Sequence, residues 1–266
     1  MDKNIIQNPT EKSGVIEVLK GPQGIGKTIV TEELLRKCVI GIKFASQCGG
    51  ISPLFDRFAT ETANKLLCLC DEINIKECVG TIGEKMKNLS TASTIQVETK
   101  GVNKITMQNC INIRTTSNNE KPFFIPPDDR RYAVFEGKST YLHDMEYMNA
   151  LVKACTSEKV ARAYYQYLLR PMKVKHFQKE RPQTEYYYEV VARNLPPIDR
   201  FLSFVCINKI IRTSTLFDNP NEDDKESEEY GAHNLYVSFV DWCKERTWVH
   251  VITSTSFGTK IGVILK

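Results

Sequence analysis

One stretch, Gly21-Pro22-Gln23-Gly24-Ile25-Gly26-Lys27-Thr28, constrains this 266-residue chain more than any other. It fits the pattern Gly-x-x-x-x-Gly-Lys-Ser/Thr, in which the residue types follow from the geometry of a phosphate cradle. Gly21, Gly24 and Gly26 let successive backbone N–H groups curl inward without Cβ clashes. The preceding residues Val15–Lys20 are rich in β-formers, and Thr28–Lys37 reads as a helix with Ile29, Val30, Leu34 and Leu35 on its inner side. A strand–loop–helix of this kind points the positive end of the helix dipole at an anion. Lys27 is placed to reach the β- and γ-phosphates of a nucleotide, and Thr28 to ligate Mg²⁺.

The next several segments continue the alternation. A second strand is expected over Val39–Phe44, helical spacing over Pro53–Asn64, and an uninterrupted apolar strand over Leu66–Cys70. Thr81–Leu89 reads as a helix. Ile95–Thr99 and Lys104–Met107 read as the arms of a hairpin with Gly101-Val102-Asn103 in its turn. Cys110–Thr116 and Tyr132–Phe135 are further strands. Strands alternating with helices predict a three-layer α/β sandwich. After about residue 140 the composition turns helical through Tyr141–Leu169. Pro171–Pro182 is basic, with Lys173, Lys175, Lys179 and Arg181 against Glu180. Pro196-Pro197 suit the first turn of another helix, and residues 218–229 form an acidic linker. A helix near Leu235–Arg246, a loop through Phe257-Gly258 and a strand at Ile261–Leu265 complete a small terminal unit.

Composition excludes some classes. A formal charge of +4 permits a local nucleic-acid contact without arguing for one. No apolar run reaches the roughly 18 residues of a membrane helix, and the polar N-terminus lacks a signal-peptide core. A cytosol-like compartment is expected. The nine cysteines are scattered without a CxxC pair, and read as structural thiols rather than a metal site.

Three further elements carry chemistry. The apolar strand Leu66–Cys70 ends in Asp71-Glu72, placing one carboxylate for the Mg²⁺ shell and the next to polarise an attacking water. Alone, the pair is also an ordinary acidic turn. Thr116-Ser117-Asn118 ends a later strand, and Asn118 can hydrogen-bond both a γ-phosphate and that water; Ser-Asn is equally common turn chemistry. Arg130 and Arg131 sit in a loop before a strand, where an arginine can stabilise transition-state charge across a subunit boundary or simply join a surface ion-pair cluster.

Taken in order, Gly21–Thr28, Asp71-Glu72, the stretch from Lys87 to Gly101, Thr116-Ser117-Asn118 and Asp129-Arg130-Arg131-Tyr132 resemble the superfamily 3 helicases. The resemblance is to the AAA+ module of viral and phage primase-helicases of the poxvirus type. It is strongest over residues 14–140, and weaker through Leu195–Leu202. It implies a P-loop NTPase (AAA+) core over 1–140; the composition adds a helical region over 141–217 and an acidic linker, and the small terminal unit that completes 218–266 resembles a winged helix. It implies ATP and Mg²⁺ at Lys27, Thr28 and Asp71, with Glu72 as base, Asn118 as sensor, and Arg131, then Arg130, as the finger. It further implies a homo-oligomeric ring, usually a hexamer, that draws single-stranded DNA or RNA through its centre with primase or other replication proteins as partners, in the cytoplasm or nucleus of an infected host. Lys100 and Lys104 flank the hairpin turn. Lysine there either grips phosphate or guards a sheet edge, and the resemblance favours a grip, chiefly by Lys100. The chain departs from the family in having only residues 1–14 before the first strand, too few for a helical collar or a primase segment.

The expected activity is therefore an ATP-dependent nucleic-acid translocase or helicase of viral or plasmid replication. Alternatives are an AAA+ ATPase that remodels nucleoprotein without unwinding, a nucleotide-binding module inactive without a partner, and, more remotely, a small-molecule kinase.

Overall fold

Along Leu67–Asp71, the side chains of Leu67 and Leu69 point to one face of a sheet and those of Cys68 and Cys70 to the other, and all four are buried. A strand hidden on both faces requires a layer of helices on each side. The computed structural model, which describes residues 1–55, 63–73, 81–98, 104–119, 125, 129–171, 176–208, 232–246 and 251–264, has that architecture.

The sheet has five parallel strands in the order β2-β3-β6-β1-β7. These are β1 (Ile16–Lys20), β2 (Ala45–Gly49), β3 (Leu67–Asp71), β6 (Asn112–Ser117) and β7 (Tyr132–Glu136). A separate antiparallel pair, β4 (Thr94–Val97) and β5 (Ile105–Gln108), forms the arms of the expected hairpin. Its turn, with Lys100, lies outside the described residues. On one face of the sheet, Ile5 of α1 (Asp2–Gln7) and Leu35 of α2 (Ile29–Ile40) bury Ala45, Leu67 and Leu69. On the other, Met86 and Leu89 of α3 (Thr81–Thr91) join Tyr186, Tyr187 and Val190 of α7 (Glu185–Asn194) over Ile16, Val18, Ile113 and Val134. Helices α4 (Met145–Cys155) and α5 (Glu158–Leu168) pack against α2. A short α6 (Phe177–Glu180) precedes α7.

One charged residue crosses this apolar plan. Arg114 lies in the middle of β6 and is 8% exposed. Its Nε donates to Glu17 Oε2 at 2.7 Å and an Nη to Asp2 Oδ1 at 2.6 Å, while Tyr164 Oη donates to Asp2 Oδ2 at 2.9 Å. Burial acts to lower the guanidinium pKa, but Glu17 and Asp2 outweigh it and hold the charge in place. The charge also anchors α1, a helix missed in the polar N-terminal sequence.

Several expected boundaries shift for local reasons. The strand expected over Val39–Phe44 is instead the end of α2, which runs to Ile40 before Gly41, at φ 91°, terminates it; the strand follows at Ala45. Val30, expected inside, is 42% exposed, and Thr31 takes a buried position. Within Pro53–Asn64 the described parts are a 3₁₀ turn, Ser52–Phe55, and a turn at Ala63 and Asn64, and residues 56–62 lie outside the described set. The helix expected over Tyr141–Leu169 is two, broken where extended Ser157 starts a new N-terminus.

The chain divides into two compact units, Met1–Val191 and Ala192–Lys266, so the first extends well past the composition change near residue 140. The second contains α8 (Pro197–Asn208), α9 (Ala232–Glu245) and α10 (Ser254–Ile264) around Phe201, Phe239, Trp242 and Phe257. The strand expected over Ile261–Leu265 is helix α10 as far as Ile264, and Ile261, one turn after Phe257, packs against the same aromatic cluster. The acidic stretch 218–229 lies outside the described residues.

Candidate functional site

Parallel strands bring all their carboxyl ends to one edge, and the strand order decides which loops meet there. β6 lies between β1 and β3. The glycine loop after β1, Asn118 after β6 and Asp71-Glu72 at the end of β3 are therefore neighbours, though far apart in sequence. They line one cavity of about 490 Å³, together with Gly24, Gly26, Lys27, Thr28, Thr116 and Met148. That is within the range of about 300–1,000 Å³ typical of small-molecule sites.

The loop has the backbone its sequence requires. Gly24 and Gly26 take φ values of 87° and 90°, the left-handed region that favours glycine. A Cβ on Gly26 would also lie 2.6 Å from Leu151 Cδ2, so α4 closes against the loop. Thr28 caps the start of α2 and is exposed to the cavity. Lys27 Nζ donates to the carbonyls of Gly21 (2.6 Å) and Pro22 (2.7 Å) and to Asn118 Oδ1 (2.8 Å). Burial lowers the Lys27 pKa, while Glu72 pulls it up and Lys20 pushes it down. The ammonium is thus held at the mouth of the loop, touching the strand end expected to sense a γ-phosphate.

The acid pair is set by partners that its own sequence does not reveal. Asp71 Oδ2 accepts from Gln47 Nε2 at 2.6 Å, and Oδ1 accepts from Thr116 Oγ1 at 3.0 Å. Gln47 also donates to Glu32 Oε2 at 3.1 Å, the main reason the Glu32 pKa is lowered. Glu72 is exposed and has φ 55°, uncommon for a residue with a side chain. Its N–H donates to Thr116 Oγ1 at 3.4 Å, and the next N–H, of Ile73, to the Thr116 carbonyl at 3.1 Å. Thr116 thus fixes the direction of one carboxylate and the turn that presents the other. Replacing it with Val keeps the volume and removes the hydroxyl. If Asp71 has the metal-side role expected from its sequence, nucleotide turnover should fall about 10–100-fold, the usual cost of losing a partner that orients such a carboxylate, with little change in melting temperature. Steady-state kinetics beside a thermal melt will check this.

Oxygen donors suited to Mg²⁺ are present in Thr28 and Asp71, both lining the cavity. Among the described residues, no group of three His, Cys, Asp or Glu side chains converges, and the described cysteines are free thiols.

The two arginines are elsewhere. β1 and β7 run parallel with Ile16 opposite Tyr132 and Lys20 opposite Glu136. Arg130 and Arg131 precede β7, and so lie a full strand length, about 16 Å, from the glycine loop. Arg131 Nη1 is 3.5 Å from Asp129 Oδ2, and its N–H donates to Asp129 Oδ1 at 2.7 Å. Arg130 is exposed. Lys104, beside the turn end of the hairpin at the start of β5, is exposed and lies 3.6 Å from Glu98. Sequence reasoning missed Gln47, Thr116 as a positioning residue, and Met148; only the register of β2, β3 and β6 and the docking of α4 reveal them.

Fold and site together define an α/β sandwich of the P-loop NTPase type. Residues 19–131 match the model of a family of unknown function, DUF5906. None of the curated proteins compared matches the sequence. Among solved structures, the apo A form of the NrS-1 C-terminal region is similar, with TM-score 0.60 and 21% identity over 77% of this chain. A second apo structure of that region, spanning its residues 305–718, gives TM-score 0.61 and 21% identity over 79% of this chain. This chain spans about half of each, 50% and 54% respectively. A ligand-bound JCV helicase is matched at TM-score 0.38 and 16% identity, over 77% of this chain and 61% of that one, too distant a likeness for anything to rest on it.

Proposed function

We propose that the chain is an ATPase of the AAA+ superfamily 3 type that moves single-stranded nucleic acid during viral or plasmid replication. The observation that carries this reading is the convergence of Lys27, Thr28, Asp71, Glu72 and Asn118 on one cavity at the carboxyl edge of the sheet. In this reading the N–H groups of Gly24–Thr28 and the start of α2 hold the phosphates of ATP, and Lys27 exchanges its contacts with the loop carbonyls for phosphate oxygens. Thr28 and Asp71 would hold Mg²⁺, which supplies charge neutralisation at the β- and γ-phosphates. Glu72 accepts a proton as water attacks the γ-phosphorus and the bond to the β–γ bridging oxygen breaks, leaving ADP and phosphate. Asn118, its Oδ1 engaged by Lys27, turns its NH₂ to the γ-phosphate and the attacking water.

Arg130 and Arg131, too far from their own loop, serve a neighbour's site, so hydrolysis requires a homo-oligomer. A six-membered ring is the arrangement we favour, with the β4–β5 hairpin meeting the nucleic acid and Lys100, which flanks the turn segment in sequence, as the phosphate grip. Lys104 has a lesser part. Primase or other replication proteins are the proposed partners, in the cytoplasm or nucleus of an infected host. Among the described residues, no helix is long and apolar enough to cross a membrane.

Displacement of a strand from forked DNA, measured with ATP hydrolysis, tests this function. The intact chain should hydrolyse ATP faster with DNA present and displace the strand. Lys100→Ala should lose displacement and the stimulation by DNA. Stimulated hydrolysis without displacement by the intact chain would instead make it a remodelling ATPase, and normal unwinding by Lys100→Ala would remove the hairpin from the mechanism.

A further inference from the structure

The carboxylates, Lys27 and Asn118 account for the phosphate-binding part of the cavity; Met148 lines the same cavity from α4 and contributes no charge. Helical spacing puts Asp144, Tyr147, Met148 and Leu151 on one side of that helix. This side faces the glycine loop, since Leu151 Cδ2 and Met148 Cε lie 2.6 and 3.8 Å from where a Cβ on Gly26 would be. Leu142, just before the helix, approaches Gly24 in the same way, at 3.2 Å. Asp144 fixes the start of α4 by accepting the N–H of Tyr147 at 2.9 Å.

Two large aromatic rings remain exposed at this point. Tyr141 is 50% and Tyr147 41% exposed, and their rings stack with centroids 4.2 Å apart and planes 15° apart. Their partner is each other, and they contribute to none of the buried clusters of the fold. A stacked pair beside a phosphate cavity offers a π-face to a planar group attached to those phosphates, and such stacking is indifferent to base edges. We propose that Tyr141, Tyr147 and Met148 form the nucleobase subsite of the glycine-loop cavity, favouring purine over pyrimidine nucleotides through ring area. This rests on the reading of the loop as a nucleoside-triphosphate site. It adds the wall that holds the base, supplied by the helices after the sheet rather than by the sheet edge.

Competition against a ribose-labelled fluorescent ATP, with Mg²⁺ and the intact chain, separates the two layers of this claim. ATP, CTP and inorganic tripolyphosphate serve as competitors. Replacing both rings, Tyr141→Ala with Tyr147→Ala, should weaken ATP about tenfold and CTP less, the scale expected for loss of one stacked base. Tripolyphosphate should stay within about twofold of its wild-type affinity. Tyr147→Phe, which keeps the ring, should bind ATP as the wild type does. Unchanged ATP affinity in the double variant, or equal losses for ATP and tripolyphosphate, overturns the subsite. Lys27→Ala should weaken tripolyphosphate and ATP alike; if it weakens neither, the phosphate reading itself fails, whatever the tyrosines do.

Discussion

Glu72→Gln is expected to lower kcat for ATP hydrolysis about 10²–10⁴-fold, the usual worth of a general base, while nucleotide affinity stays close to that of the wild type. The substitution preserves shape and hydrogen-bonding reach but removes the group that takes the proton. Little else should change. Glu72 is exposed, its backbone turn is held by Thr116 rather than by its own side chain, and the bonds to Asp71 are untouched. Stopped hydrolysis with retained binding therefore isolates proton transfer from positioning. Parallel loss of binding would mean that Glu72 supports the loop instead, a role consistent with its Coulombic pull on Lys27.

The second large effect belongs to the arginines. Removing a residue that stabilises transition-state charge costs about 10³–10⁵ in rate. Arg130 and Arg131 precede the strand whose far end approaches the loop, where Gly137 N–H donates to the Lys20 carbonyl at 2.7 Å, so both lie a strand length from the glycine loop of their own chain. The sequence reading ranked Arg131 first. In the structure its guanidinium is engaged by Asp129, which also lies 3.7 Å from Lys87 Nζ, whereas Arg130 is exposed. We expect the double replacement by Ala to be inactive alone and to regain hydrolysis when mixed with the inactive Glu72→Gln chain. Each then supplies, at one kind of interface, the part the other lacks. Subunit mixing followed by phosphate release checks this. Full activity of the double variant, or no rescue in a mixture shown to co-assemble, removes the neighbour from the mechanism.

Much of the fold was legible because its signals are local. The glycine loop sits between a β-rich run and a helix, and Leu66–Cys70 is apolar throughout, so loop, strand and acid pair could be placed from adjacent residues alone. The misplaced strand shows the limit. Val39 and Ile40 favour strand intrinsically, yet they complete α2 because packing beneath it, with Leu35 against Leu67 and Leu69, decides the end of the helix. In α10, Ile261 and Val263 suggested strand for the same reason, and the aromatic cluster around Phe257 overrode them. Within the site, the residues proposed to do chemistry lie in short motifs, while those that aim them do not. Gln47 meets Asp71 only because β2 pairs with β3 in the register Gly49 to Asp71, and Thr116 meets it only because β6 is the next strand. Arg114 was invisible as a buried charge because its partners, Asp2 and Glu17, come from a helix and a strand distant in sequence.

The central claim is that Gly21–Thr28 and the strand ends beside it form one nucleoside-triphosphate site. Equilibrium titration of the intact chain with ATP and Mg²⁺, beside the Lys27→Ala variant, tests it most directly. The account predicts saturable binding by the intact chain and a loss of affinity of about tenfold or more when the charged partner of the phosphates is removed. Equal binding by both chains, or none by the intact one, would contradict it.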